Sequence, residues 1–261
     1  MRNSVTTGLK ALLPLAFGLL LSACAGTPTY NPTVFPYEIN AEKIAADDIK
    51  TVIIPHVNLG PPSRNYLEEA APRIDSEISA YLKEHGYKVI PQREFEQRWN
   101  TAVRAYGDPY DPTTGRTNMK SFSLIMQSVR DDLVKSFALD AFVFTDLVEI
   151  EVTFNGGLKH VAKWDGVSRE PPVQGPGNSV SADFDWGAMA AAASLQIAIF
   201  DNSLERVFFS RGGLDATDAV DTRKERFARR RAMLENKSHI EEGIQLAFHP
   251  FITMEDWPGN P

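Results

Sequence analysis

Two short apolar segments separated by one amphipathic helix constrain the fold of this chain most strongly. Residues 51–55 and 87–91 each have the length of a strand, and the first is continuously apolar, which is typical of a strand covered on both faces. Between them, apolar residues recur every three or four positions over residues 67–82, and Gly86 follows as a helix stop. This pattern predicts a parallel βαβ unit. Pro72 lies inside the helical stretch, so the helix is expected to kink or begin there.

The longest strand signal, residues 141–154, is followed by residues that favour a tight turn. Asn118 is expected to cap the helix that leads into this strand. Asn155-Gly156-Gly157 tolerates positive φ, so residues 158–164 are expected to return as the antiparallel partner in a long β-hairpin. Turns of two and of three residues give different registers, and both stay open.

The last third of the chain is expected to contain a loop, a second hairpin and two helices. Residues 166–187 are rich in glycine and proline, which predicts an inserted loop. Residues 195–200 and 206–209 are expected to pair across a short turn, and capping boxes that begin at Thr222 and Ser238 predict two helices. The whole pattern predicts an α/β fold: a single mixed β-sheet flanked by helices, with a long β-hairpin and an inserted Gly/Pro-rich loop.

A targeting signal occupies the start of the chain. Arg2 and Lys10 precede an apolar core, residues 11–21, that is too short to span a bilayer but suits a secretory signal. The core ends in Leu21-Ser22-Ala23-Cys24, which resembles the lipobox of bacterial lipoproteins. An ordinary secretory signal followed by an unrelated cysteine is the alternative. Cys24 is the single cysteine of the chain, which excludes an intramolecular disulfide and a zinc site built from paired thiolates.

The lipobox resemblance implies that residues 1–23 are a signal peptide and that Cys24 carries the lipid anchor. In such lipoproteins the thiol carries diacylglycerol and the amine a further acyl chain such as palmitate, and two or three chains anchor stably. Residue 25 is alanine rather than the aspartate that commonly retains lipoproteins in the inner membrane, so we expect the outer membrane and the periplasmic side. Residues 24–49 begin with a proline-rich stretch and are expected to be a tether. Residues 50–261 are expected to form the domain.

The order of elements resembles periplasmic lipoproteins with an anticodon-binding-like α/β domain, a group that includes CsgG, LpoB and the amino-terminal domain of TolB. The elements that carry the resemblance are the lipobox, the tether, residues 51–55, the following helix, and residues 86–90, 139–144, 195–201 and 206–208. The resemblance spans roughly residues 50 to 215 and contains no catalytic motif. It implies a binding module that acts through protein contacts.

Charge and motif content argue against several function classes. The chain has 27 Lys and Arg against 34 Asp and Glu, a net charge of −7, which disfavours nucleic acid as a partner. It contains no Gly-x-Ser-x-Gly elbow, no pair of His at zinc-protease spacing and no complete phosphate-binding glycine motif. We therefore expect no enzymatic activity, no cofactor and no metal.

Two clusters are candidate contact sites. Six of the nine residues 223–231 are basic. If this segment is a helix, its arginines would lie on the exposed face, where their guanidinium groups could bind phosphates or carboxylates. The candidate partner-binding residues are Arg226, Arg229, Arg230 and Arg231. The alternative is a solvated helix face. Asp183 and Asp185 beside Trp186 are candidates for a cation or sugar site, and a solvated loop with one aromatic anchor is the alternative.

The combined expectation is a lipid-anchored outer-membrane lipoprotein, bound to the membrane through lipidated Cys24. Its domain is expected to be a non-catalytic binding or scaffold module for an envelope protein or envelope component. One alternative is a subunit of an oligomeric export or envelope assembly, and another is an envelope hydrolase that uses the Asp183/Asp185 loop. Homo-oligomerisation is left open.

Overall fold

The computed structural model describes residues 34–58, 62–111, 113–177, 180–255 and 257. The helices are α1 (Ala41–Asp47), α2 (Ala71–Glu84), α3 (Gln92–Tyr106), α4 (Met119–Phe137) and α5 (Lys237–Phe248), with a 3₁₀ helix at Pro62–Leu67. The strands are β1 (Tyr37–Ile39), β2 (Thr51–Ile53), β3 (Val57–Asn58), β4 (Lys88–Ile90), β5 (Ala141–Thr153), β6 (Ala162–Trp164), β7 (Val167–Arg169), β8 (Val173–Gln174), β9 (Met189–Asp201), β10 (Arg206–Ala216), β11 (Asp218–Asp221) and β12 (Arg226–Arg229).

Seven strands of the described chain form one mixed sheet. Its order is β1-β10-β9-β5-β2-β4, and β3 pairs with β5 beyond the end of β2. β2 is parallel to both β4 and β5, whereas β9 is antiparallel to β5 along its whole length. Two small sheets, β12-β11-β8 and β6-β7, complete the β-structure. The predicted α/β fold with a mixed sheet and flanking helices is confirmed, as is the βαβ unit of β2, α2 and β4.

The helices cover both faces of this sheet because successive strand residues point to opposite sides. Val52 packs with the buried stripe of α2, and α5 lies on the same face. Ile53, the next residue of β2, packs instead with α3 and α4. The stripe of α2 consists of Ile74, Ile78 and Leu82, and that of α4 of Ile125, Val129 and Leu133. The result is a three-layer arrangement with the sheet in the middle.

Local capping chemistry sets the helix starts. Asn118 caps α4 as predicted, because its side chain accepts a hydrogen bond from the backbone N–H of Ser121 at 3.3 Å. Pro72 lies in the first turn of α2, so the helix begins there rather than kinking. The cap of α5 is Asn236, two residues before the predicted Ser238, and it accepts the N–H of His239 at 3.4 Å.

The partner predicted for β5 is wrong. The chain does turn after β5, but the return is limited to one bridge between Gly156 and Val161, and the antiparallel partner along the full length of β5 is β9. β6 pairs with β7 instead, across the two-residue turn Asp165-Gly166. Both turn residues have positive φ, 36° and 86°, which is the backbone that matches the twist of a hairpin. The long hairpin of the structure is β9–β10, which extends the predicted pairing of residues 195–209 in both directions.

Residues assigned to the tether and to the Gly/Pro-rich loop contribute regular structure. β1 pairs antiparallel with β10, and α1 follows it, so the later part of the expected tether contributes a strand to the sheet. Lys43 of α1 forms ion pairs with Asp201, at 2.6 Å, and with Glu205. The expected loop 166–187 contains β7 and β8, because β7 pairs with the adjacent β6 and β8 pairs with β11 further along the chain.

Candidate functional site

A crevice opens at the carboxyl end of β2, where the chain connections change direction. From β2 the chain passes through α2 to β4 on one side, and then through α3 and α4 to β5 on the other side. In open α/β sheets, ligands bind at such a switch point because the helices on the two faces diverge there. The crevice is a cavity of about 530 Å³ between the segment after β2, α3, α4 and β5.

One end of the crevice, which we term the polar end, carries hydrogen-bonding side chains. His56 and Asn58 lie just after β2, and Glu96 and Asn100 come from α3. Nδ1 of His56 lies 2.7 Å from Oδ2 of Asp75, a side chain of α2 that is 13% exposed. Because the carboxylate engages Nδ1, Nε2 is the ring nitrogen that His56 offers to a ligand.

An aromatic wall continues from the polar end into a second cavity of about 400 Å³. Both cavities are lined by Phe122, Met126 and Phe144, so they adjoin at these side chains, and we refer to the two together as the crevice. Trp99 meets Phe122 edge to face, with ring centroids 5.9 Å apart. The second cavity, which we term the apolar end, adds Met119, Phe200, Leu204, Ser123 and Gln127.

The prediction of a helix that displays the four candidate arginines is wrong. Residues 222–225 form a turn between β11 and β12, and Arg226 and Arg229 lie on β12. Asp221 caps this turn, because its Oδ1 accepts the backbone N–H groups of Arg223 and Lys224 at 3.0 and 3.1 Å. Glu225 has φ of 51°, which ends any helix there. Strand pairing with β11 therefore prevails over the local capping signal.

Two of the four arginines are engaged within the protein. Arg229 donates to Glu149 at 2.6 Å and lies over the ring of Tyr66, with its guanidinium carbon 4.2 Å from the ring centroid. Arg230 donates to Asp215 at 2.6 Å and to the carbonyl of Ala216 at 2.8 Å. These contacts join β12 and the segment after it to the rest of the domain.

The other two arginines are exposed. Arg226 lies on β12 opposite Asp221. Arg231 lines a polar cavity of about 430 Å³ together with Arg73, Glu69 and Glu235. Their role in partner binding stays a prediction, and the structure separates them from the crevice, whose walls come from other segments.

The partners of Arg230 form a buried charge cluster. Asp215 is 6% exposed and faces Arg230 and His239, whose Nδ1 lies 3.6 Å from its carboxylate. Burial alone would raise the pKa of Asp215, but the nearby imidazole of His239 and the hydrogen bond and positive charge of Arg230 outweigh burial and hold that pKa below its usual range. The folded protein therefore favours the ionised form of Asp215.

The Asp183/Asp185 loop is organised by its aromatic residues. The ring of Trp186 stacks on His160, with centroids 3.6 Å apart and an interplanar angle of 6°, so one face of the indole is covered. Asp183 and Asp185 are exposed, and Oδ1 of Asp185 accepts the backbone N–H of Gly187 at 2.9 Å. The described residues contain no group of three His, Cys, Asp or Glu side chains placed to hold a metal ion. This geometry favours the interpretation of a loop with an aromatic anchor.

Cys24, the signal-like segment and the first part of the tether lie outside the described residues. No helix in the described ranges combines the length and the apolar character needed to cross a membrane.

The sequence reasoning missed the crevice. No site was expected at His56 or at the aromatic residues of α3 and α4, because none of them belongs to a recognisable motif. A usable signal was present, because His56 directly follows the first strand and the order of strands and helices could have placed that strand end at a switch point.

No protein-family model, curated protein or solved structure matches this chain.

Proposed function

We propose that this chain is an outer-membrane lipoprotein, anchored through Cys24 and facing the periplasm, whose domain is a non-catalytic binding module for an envelope component. The apolar core over residues 11–21 and the lipobox resemblance at Cys24 support the anchor and its location. The crevice at the carboxyl end of β2 is the single observation that carries the binding role.

The crevice has the properties expected of a small-ligand site. Its two cavities, of about 530 and 400 Å³, fall within the usual volumes of ligand pockets, and each combines apolar walls with a few polar groups. The walls include α3, α4 and β5, whose buried residues pack together in one hydrophobic cluster. Arg229 and Arg230 support a partner surface less well, because a partner would have to compete with their internal carboxylates.

Lipidation of Cys24 is tested by metabolic labelling. Cells that express the wild-type chain and are fed an alkyne analogue of palmitate are expected to incorporate the label into the protein, which should sediment with outer membranes. The Cys24→Ala chain is expected to lose the label and to leave the membrane fraction, because the acceptor sulfur is absent. Equal labelling of the two chains, or membrane association without the cysteine, would contradict the anchor.

Ligand binding in the crevice is tested by site-specific photo-crosslinking in cells. A photoreactive phenylalanine analogue at Asn100, whose side chain lines the polar end, is expected to form an adduct that changes the intact mass of the protein. The same analogue at Glu84, an exposed position at the end of α2, is the matched control and is expected to give no adduct of that mass. Identical adducts at both positions, or none at Asn100 and none at the neighbouring Tyr110, would count against a ligand in the crevice.

A further inference from the structure

The two ends of the crevice differ in chemistry. The apolar end is formed by Met119, Phe200 and Leu204, and its polar groups are confined to one hydroxyl and one amide. Methionine side chains are flexible and adapt to an alkyl chain. The polar end offers an imidazole, two amides, a phenol and a carboxylate. A ligand that fills both ends therefore has an apolar part joined to a polar head.

The charge at the polar end selects the sign of that head. None of the described residues that line either cavity is Lys or Arg, and the formal charge of the lining comes from Glu96. Glu96 takes part in none of the ion pairs found among the described residues. His56 is already paired with Asp75 at 2.7 Å, and the whole chain carries a net charge of −7. An anionic head would lie beside Glu96 with no cation to balance it, whereas a cationic head would supply the missing partner.

Aromatic rings at the same end add a second attraction for a cation. Trp99 and Tyr110 line the polar end, and Phe122 and Phe144 continue the wall towards the apolar end. A cation over the face of such a ring is attracted by the ring quadrupole, most strongly when the site excludes part of the water. Aromatic walls beside one carboxylate are therefore well suited to an organic ammonium group.

Cavity size favours a small ligand over a protein surface. The two cavities, at about 400 and 530 Å³, match the pocket volumes that small molecules fill. A stable protein interface instead covers about 800 Å² of each partner. We propose that the crevice binds a small amphipathic cation, whose alkyl part lies in the apolar end and whose positively charged head lies at the polar end against Glu96 and the ring of Trp99. This inference rests on the proposed binding role of the crevice and adds the chemistry of the ligand.

Three amphiphiles with the same tail and different heads test the assignment. Decyltrimethylammonium, decyl maltoside and decanoate, each below its critical micelle concentration, are titrated by calorimetry into the full chain carrying Cys24→Ala, so that no acyl chain of the protein competes. The cation is expected to bind about tenfold more tightly than decanoate. Glu96→Gln should weaken binding of the cation by about fivefold and leave decyl maltoside unchanged, and Glu84→Gln is the matched control with no expected effect.

A variant at the apolar end separates the ligand assignment from the crevice itself. Leu204 has φ of 66°, a conformation that asparagine tolerates, so Leu204→Asn should fold and weaken every probe that binds. Equal affinity for the three heads, with loss in Leu204→Asn, would overturn the cation assignment and leave the crevice as a binding site. Binding of none of the probes, or binding unchanged in Leu204→Asn, would overturn the assignment and contradict the proposed role of the crevice as well.

Discussion

Replacement of Gly212 by alanine is expected to lower the free energy of unfolding by about 3 kcal/mol or more. A Cβ atom at this position of β10 would lie 1.9 Å from the carbonyl oxygen of Gly243 and 2.7 Å from the backbone nitrogen of Ala247, both in α5. Backbone atoms cannot rotate away as a side chain can, so α5 would have to move off the sheet. The buried face of α5, which includes Ile244 and Phe248, would lose its packing.

Urea unfolding followed by circular dichroism measures this loss, and Gly187→Ala is the matched control. A Cβ at Gly187 would approach only the side-chain oxygen of Asp185, at 3.3 Å, so we expect a change within about 0.5 kcal/mol. A Gly212→Ala protein with a midpoint close to that of the wild type would contradict the close contact between α5 and β10.

Removal of the Asp215 carboxylate is expected to lower the free energy of unfolding at neutral pH by about 3 kcal/mol. Asp215→Ala deletes the partner of Arg230, whose side chain is 20% exposed, and also deletes the acceptor of the backbone N–H of Ala216. The guanidinium group would then be left half-buried without a counterion. Asp215→Asn keeps an acceptor for Ala216 and should lose less.

The same carboxylate should make stability depend on pH. Because the pKa of Asp215 in the folded protein lies below its ordinary 3.8, the ionised group stabilises the fold at pH values above 3.8. That contribution is lost as the pH falls below 3.8 and through the folded-state pKa. Urea unfolding between pH 7 and pH 3 should therefore show a smaller loss of stability on acidification in Asp215→Asn than in the wild type.

Asp131→Ala is the control for both measurements, because its ion pair with Arg130, at 2.5 Å, involves a carboxylate that is 69% exposed. Such a surface pair contributes at most about 1 kcal/mol. Two results would show that the buried cluster does not stabilise the fold as described. One is an equal loss of stability in Asp131→Ala and Asp215→Ala, and the other is the same loss of stability on acidification in Asp215→Asn as in the wild type.

The predicted parts of the fold are those whose signals are local and repeated. The continuous apolar run of β2, the spacing of three and four residues in α2 and the cap at Asn118 each specify one element without knowledge of its neighbours. The hairpin partner of β5 was not accessible in this way, since the antiparallel partner of β5 is β9, which comes after β6, β7 and β8 in the chain, and no local signal identifies so distant a partner. The prediction of a helix from Arg226 to Arg229 failed for a similar reason, because this segment pairs with the strand β11.

The candidate site was harder to predict because its walls come from several separate parts of the chain. His56 follows β2, Glu96 belongs to α3, Phe122 to α4 and Phe144 to β5. None of these residues forms a motif with its sequence neighbours, and their proximity depends on strand order. The arginine cluster shows the converse: it stands out in the sequence, yet Arg229 and Arg230 mainly hold the domain together.

The place where the chain enters the domain has a consequence for how an anchored molecule would be oriented. β1 forms one margin of the sheet and is held there by pairing with β10 and by the ion pair between Arg206 and Glu38 at 2.5 Å. β2 lies four strands further across, which at about 4.8 Å per strand is about 19 Å. A lipid attached upstream of β1 would therefore connect to the margin of the sheet, while the polar end of the crevice lies beside β2, across the sheet from that attachment.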